Sequence, residues 1–254
     1  MCFLSTACRD IPGDLLFLID SSGSIRSDEY QKMKDFMKAM IGKSQVGQEM
    51  VHVGVMQFST IQKLEFQLNN FYDKGDMWKN IDDMQQLGGG THTGQALNEV
   101  SLYFDLASGG RPGIRQNLIV ITDGESQDQV KGPAEVLRQK GVTIFSIGVV
   151  NANTTQLLEI SGSDDLVFTE RDFDALKDLE SELNLRLCER GETTLGLMLY
   201  IVVGITLAYY NPVDMQISLR ETIYNYKNSS KQFNDLSLNK ILVSFKCFSF
   251  VLKR

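Results

Sequence analysis

Histidine is nearly absent from this sequence: only His52 and His92 occur among 254 residues. That excludes a His-rich metal site and any catalysis built on paired imidazoles. Four prolines and 21 glycines leave no room for a Gly-X-Y rod. Four cysteines are too few for a disulfide-dense mini-scaffold. Basic residues are outnumbered, 25 to 32, and the pI is near 5.0, which argues against a nucleic-acid binder. The first ten residues, MCFLSTACRD, contain no apolar stretch long enough for a signal peptide. Two enzyme fingerprints are also missing. The first apolar run leads into DSSGSI rather than G-x-G-x-x-G, and G-x-S-x-G does not occur.

What remains is ordinary globular material, 43% hydrophobic and 22% charged, with the charge unevenly spread. Residues 191–254 carry seven Lys/Arg against four Asp/Glu, whereas residues 1–190 carry 18 against 28. The shift divides the chain into a short extension over 1–12, an acidic domain over 13–188 and a tail over 189–254. Cys8 and Cys188 stand at the two edges of the acidic domain, where no core requires a thiol. They are read as a bridge clipping its ends together, worth at most about 5 kcal/mol for so long a loop. Within the tail, residues 195–210 form an apolar run short of the about 20 residues a spanning helix needs. The tail is read as lying outside the functional unit, with a short membrane anchor at 195–210 as the alternative.

Apolar periodicity orders the acidic domain. Asp14–Asp20, Val51–Phe58, Asn117–Thr122 and Val142–Val149 are buried strands, Lys63–Leu68 is an alternating edge strand, and Leu166–Phe168 is a short one. Helical spacing covers the stretch from Ser27, read as a cap, and then 73–87, 93–107, 130–139, 154–160 and 172–187. Strands alternating with helices predict an α/β fold, a mostly parallel sheet with helices on both faces. Ligands of such sheets sit beyond the carboxyl ends of the strands.

Unusual polar residues collect at those ends. Asp20-x-Ser22-x-Ser24 follows the first strand, Thr91 follows the triple glycine of GGGTHTG, and Asp123 closes the strand ending in ITDG. Taken singly, each has a plain role. Asp20 or Thr91 would cap a helix, the serines would make a turn, and Asp-Gly is a frequent turn dipeptide. Together they supply hard oxygen donors from three strand ends, which suits Mg2+, with Mn2+ or Ca2+ as alternatives. An ion with so few charged ligands has reason to recruit a carboxylate from outside.

The stretches DLLFLIDSSGSI, GGGTHTGQAL and LIVITDGESQD resemble the von Willebrand factor A domain, also called the integrin I domain. The resemblance covers about Gly13 to Cys188. VTIFSIGVVNANTTQL and LVFTERDFDAL resemble most the matrix-type A domains of type VI-like collagens and of matrilins. It implies a Rossmann-like, doubly wound sheet of six strands with one short antiparallel edge strand, Lys63–Leu68. It also implies a metal-ion-dependent adhesion site. Ser22 and Ser24 would bind Mg2+ directly, Asp20 and Asp123 largely through water, and Thr91 directly when the site is open. Ser21, Gly89, His92 and Glu125 would form the rim, with Glu125 and Asp128 adding negative charge nearby. In integrin relatives the last helix shifts as the site opens, which points to 172–187 here.

The function implied is metal-dependent adhesion, not enzymatic: an extracellular matrix or cell-surface protein would offer a Glu or Asp to the ion. The expected setting is secreted or matrix, or membrane-anchored if 195–210 is an anchor, with no nucleic-acid partner. The competing reading is a metal-independent structural or assembly A domain.

Overall fold

Leu15 to Ile19 is buried on both faces, and its alternation sorts the interior into two cores. Leu15, Phe17 and Ile19 face one way, where they meet Met33, Met37 and Ile41 of the first helix and Leu179 and Leu183 of the last. Leu16 and Leu18 face the other way, against Ala96, Leu97, Ala134, Leu137 and Ile160. A strand can be apolar at every position only when both faces are covered, as here.

The computed structural model describes residues 11–150 and 152–189, with the side chains of 188 and 189 excepted. Cys8, the Cys188 side chain, most of the 1–12 extension and the 195–210 run lie outside the described residues. No helix among the described residues is long and apolar enough to cross a membrane.

Six strands form one sheet: β1 (Gly13–Asp20), β2 (Val51–Phe58), β3 (Gln62–Phe66), β4 (Arg115–Thr122), β5 (Thr143–Val149) and β6 (Val167–Glu170). Their order is β3-β2-β1-β4-β5-β6, and only β3 runs antiparallel. This is the doubly wound, Rossmann-like sheet expected from the sequence. The helices are α1 (Ser27–Lys43), α2 (Lys74–Asp83), α3 (Thr93–Val100), α4 (Lys131–Gln139), α5 (Thr154–Ser161) and α6 (Leu176–Glu189). From β1 the chain builds outward through β2 on one side and β4 on the other, so the winding reverses between β1 and β4. A crevice opens at such a reversal, beyond the strand ends that carry Asp20 and Asp123.

Several boundaries differ from the expected ones because tertiary partners take the backbone groups. The helix expected over 73–87 stops at Asp83. Beyond it Gln57 Nε2 donates to Gln85 O at 3.0 Å and Lys34 Nζ to Met84 O at 3.2 Å. The helix expected over 93–107 is α-helical only to Val100 and then tightens into a 3-10 turn over Ser101–Phe104. There the carbonyls of Ser101 and Phe104 are drawn out by Lys140 and Gln116. Ser27 is not the cap of α1. Arg26 holds that position, and its N–H is taken by the Glu29 carboxylate at 2.9 Å. Strand β3 ends at Phe66, before the turn in which Gln67 N–H donates to Asn70 Oδ1 at 2.7 Å.

The opposite edge of the sheet is closed by a buried ion pair. Asp14 is wholly buried, and Arg111 meets it at 2.8 Å while also donating to Gly13 O and Met50 O. Helix α6 is tied to the sheet and to α1 at three points. Lys32 pairs with Asp174 just ahead of the helix at 2.9 Å, Lys43 pairs with Glu180 at 3.0 Å, and Arg115 donates to Leu187 O.

Candidate metal centre

Asp20 ends β1 with no exposed surface, at 0%. Its Oδ1 accepts the Ser22 N–H at 2.8 Å and its Oδ2 accepts the Thr122 hydroxyl at 2.7 Å. It therefore caps no helix. The next contacts run outward: Ser22 Oγ lies 3.0 Å from Ser24 Oγ, and Ser24 Oγ donates to Asp123 Oδ1 at 3.0 Å. Four of the five predicted ligands, from two loops, are thus joined in one chain of contacts that starts at a buried carboxylate and ends at a half-buried one.

Burial pushes the Asp20 carboxyl up to about 6, against the bonds from Ser22 and Thr122, and the nearby Asp123 charge adds to the rise. Burial likewise raises Asp123, with Ser24 opposing and Glu29 adding repulsion. Neither carboxylate takes part in an ion pair with Lys or Arg among the described residues. Two acids held close without a basic partner are stabilised by a bound cation. No group of three or more His, Cys, Asp or Glu among the described residues could hold a metal ion, so a cation here must draw on hydroxyls. The residues present fit that demand: Ser22, Ser24 and Thr91 offer neutral oxygens, and Asp20 and Asp123 offer the charge. Such a set suits a small hard dication.

The surrounding loops are tied to this floor. Gly23 N–H donates to Gly89 O at 2.9 Å and Gly88 N–H to Ser21 O at 2.8 Å, joining the triple-glycine loop to the first loop. Gly89 has φ of 88°, and a Cβ there would come within 2.8 Å of Thr60 Oγ1, so only glycine makes this approach. Thr91 is buried, and its carbonyl accepts the Gln127 N–H at 2.8 Å. That bond ties the Thr91 loop to the loop carrying Asp123. Thr93, the other threonine of GGGTHTG, lies within α3 and is buried.

The rim differs from expectation at two positions. Ser21 is fully buried, and its hydroxyl accepts the Leu87 N–H at 2.8 Å, so it is a brace between loops rather than a rim contact. Asp128 is not a free charge near the site. Its two oxygens accept the Gly94 and Gln95 N–H groups at 2.7 and 2.8 Å and cap α3 from a distant loop. Gly89 and Glu125 are exposed and His92 is half-buried, at the start of α3. Thr122 and Gln86 also serve the site, although neither is a ligand position of the motifs in the sequence. Thr122 orients Asp20, and Gln86 clamps the Ser22 and Ile25 carbonyls at 2.9 and 2.7 Å. Thr122 adjoins Asp123 in ITDG, but nothing in that string says its hydroxyl turns toward β1.

Residues 14–182 match the von Willebrand factor type A domain. The chain belongs to that family. As an A domain it is 50% identical to the human collagen alpha-6(VI) chain over 186 residues, 73% of this chain and 8% of that one. It is 35% identical to chicken matrilin-3 over 198 residues, 75% of this chain and 44% of that one. Among solved structures, proximal thread matrix protein 1 from the mussel byssus with a zinc-occupied MIDAS motif superposes with a TM-score of 0.67 at 34% identity. That likeness covers 70% of this chain and 48% of the mussel protein. The A domain here thus spans under a tenth of the collagen VI chain and under half of the other two.

Proposed function

We propose that this A domain is a divalent-cation-dependent protein-interaction module of the extracellular matrix, and that it is not an enzyme. Asp20, Ser22, Ser24, Thr91 and Asp123 hold Mg2+, and the partner supplies a Glu or Asp side chain. The observation that carries this reading is the pair Asp20 and Asp123, both raised by burial, linked through Ser22 and Ser24 and without a Lys or Arg partner among the described residues. When bound, the cation offers an electron-poor coordination position to an outside carboxylate. The chain's own residues act as a frame. Thr122 and the Ser22 N–H orient Asp20, Gln86 and Ser21 fix the first loop, and the Gln127 bond ties Thr91 to the loop that carries Asp123.

The kinship with collagen VI chains and matrilin-3 supports a matrix setting, and the zinc-occupied site of the mussel protein supports a cation. An all-oxygen donor set favours Mg2+ over zinc in this chain, because zinc is best held by nitrogen and sulfur. The test is titration calorimetry of Mg2+ into the full chain, beside Asp20→Asn. Saturable heat in the parent, absent in the variant, is the expected result. No heat in the parent at millimolar Mg2+ would overturn the reading.

A further inference from the structure

Two exposed apolar side chains stand at the sheet edge that carries the metal centre, one to each side of it. Ile61, 59% exposed, lies in the turn between β2 and β3, and Val150, 52% exposed, directly follows β5. The order β2-β1-β4-β5 puts the strand ends bearing Asp20 and Asp123 between them. Asp20 is level with Phe58, and Thr122 is level with Gly148, so both flanking residues lie just beyond the same edge. Both are held in place. Ser59 N–H donates to Ile61 O at 2.8 Å, His92 N–H donates to Ser59 O at 3.0 Å, and Val150 N–H donates to Glu170 O at 2.9 Å.

Scattered exposed apolar residues are ordinary and need no use. These two run against local preference. Val150 has φ of 59°, and among the described residues it is the non-glycine residue with positive φ. A branched Cβ is strained there, where Gly or Asn would sit at ease. Ile61 occupies a tight turn that favours Gly, Asn, Asp or Ser. A residue kept against backbone preference points to a use for its side chain.

We infer that the partner presents its carboxylate on an extended segment with an apolar residue two positions to either side, and that Ile61 and Val150 receive those two residues. The spacing agrees. Three strand separations between β2 and β5 amount to roughly 14 Å, and four residues of extended chain to roughly 13 Å. Positions i−2, i and i+2 of such a segment share one face, so the acid reaches the cation while both apolar side chains face the sheet edge. This inference rests on the metal-dependent reading above.

The test is a displayed library of nonapeptides, random except for Asp, Glu, Asn or Gln at the centre, panned on the full chain in Mg2+ and in EDTA. Ile61→Ser, Val150→Gly and Val150→Asn are panned in parallel, and each is titrated with Mg2+. Both changes at Val150 suit a positive φ, so the fold is retained or stabilised while the apolar side chain is lost. The expected result is Mg2+-dependent enrichment of central Asp or Glu with Ile, Leu, Val or Phe two positions away on both sides. Peptides so selected should bind the variants roughly fivefold more weakly, with Mg2+ heats unchanged. Acidic peptides enriched without flanking preference, or binding the variants equally well, would overturn the inference and leave the metal reading intact. No Mg2+-dependent enrichment would overturn it as well, and the Mg2+ heats then show separately whether the metal reading stands.

Discussion

The Thr122 hydroxyl donates to Asp20 Oδ2 at 2.7 Å, across the boundary between β4 and β1 at which the winding of the sheet reverses. One carboxylate is thereby held by two strands that lie 102 residues apart in sequence. Its other oxygen is held by the Ser22 N–H, so the charge is oriented on both sides, and no Lys or Arg among the described residues pairs with it.

Replacing Asp20 by Asn should therefore stabilise the metal-free chain while abolishing Mg2+ binding. A carboxyl raised from 3.8 to about 6 holds its proton more tightly folded than unfolded. Metal-free stability should fall as pH rises from about 4 through about 6, by about 2–3 kcal/mol. Asp20→Asn removes that fall, and saturating Mg2+ should remove it in the parent. Thermal melts from pH 4 to 7.5, with Mg2+ and with EDTA, check both; a flat metal-free profile in the parent would count against the buried charge.

Thr122→Val keeps the shape of the side chain and removes the donor to Asp20. Mg2+ affinity at pH 7 should fall roughly tenfold to a hundredfold, the worth of one hydrogen bond to a charged group. Calorimetry reads the affinity, and an unchanged value would mean that the Thr122 bond does not orient Asp20 for the ion.

Asp128→Ala should leave two N–H groups of α3, those of Gly94 and Gln95, without their acceptor. The cost should be about 1–2 kcal/mol, measured by denaturant unfolding. Gly94→Ala should cost more, because its Cβ would come within 2.1 Å of Gln129 O and push apart the contact that Asp128 makes. A smaller loss for Gly94→Ala than for Asp128→Ala would show that the 128–129 loop moves freely.

Arg111→Ala at the opposite edge of the sheet should cost about 3 kcal/mol, because it strands the buried Asp14 charge and removes the guanidinium bonds to the Gly13 and Met50 carbonyls. Mg2+ affinity should be unchanged, since the two sites lie at opposite ends of β1. Unfolding and calorimetry on the same variant separate the two effects.

Helix α6 is the element expected to move in integrin relatives. Arg115, Lys43 and Lys32 restrain it or the turn before it. Arg115→Ala frees the Leu187 carbonyl at the end of the helix and should raise amide exchange in the last turn of α6. Unaltered protection there would show that the other contacts suffice.

The strands are legible in the sequence where burial is two-sided. Residues such as Leu15–Ile19 and Leu118–Ile121 are apolar at every position because a helix layer covers each face, and that requirement is written residue by residue. The candidate ligands are legible for a related reason: Asp20 ends such a strand, and Ser22, Ser24 and Asp123 sit in short loops directly after one, so finding the strand ends finds them. The helix ends at Asp83 and Val100 were not legible. They are set by Gln57, Lys34, Lys140 and Gln116, donors remote in sequence whose reach no local pattern records.

The sequence by itself determined the strand–helix alternation, the two-sided burial of the central strands and the oxygen-rich strand ends, since each follows from side-chain chemistry within about ten neighbouring residues. Only the tertiary structure decided that Ser21 is a buried brace, that Asp128 caps a distant helix and that Thr122 turns toward Asp20. It also set Ile61 and Val150 at one edge, on either side of the strand ends that carry Asp20 and Asp123. Each of these depends on which strands became neighbours, and strand order is settled by packing across the whole sheet rather than by any stretch of chain.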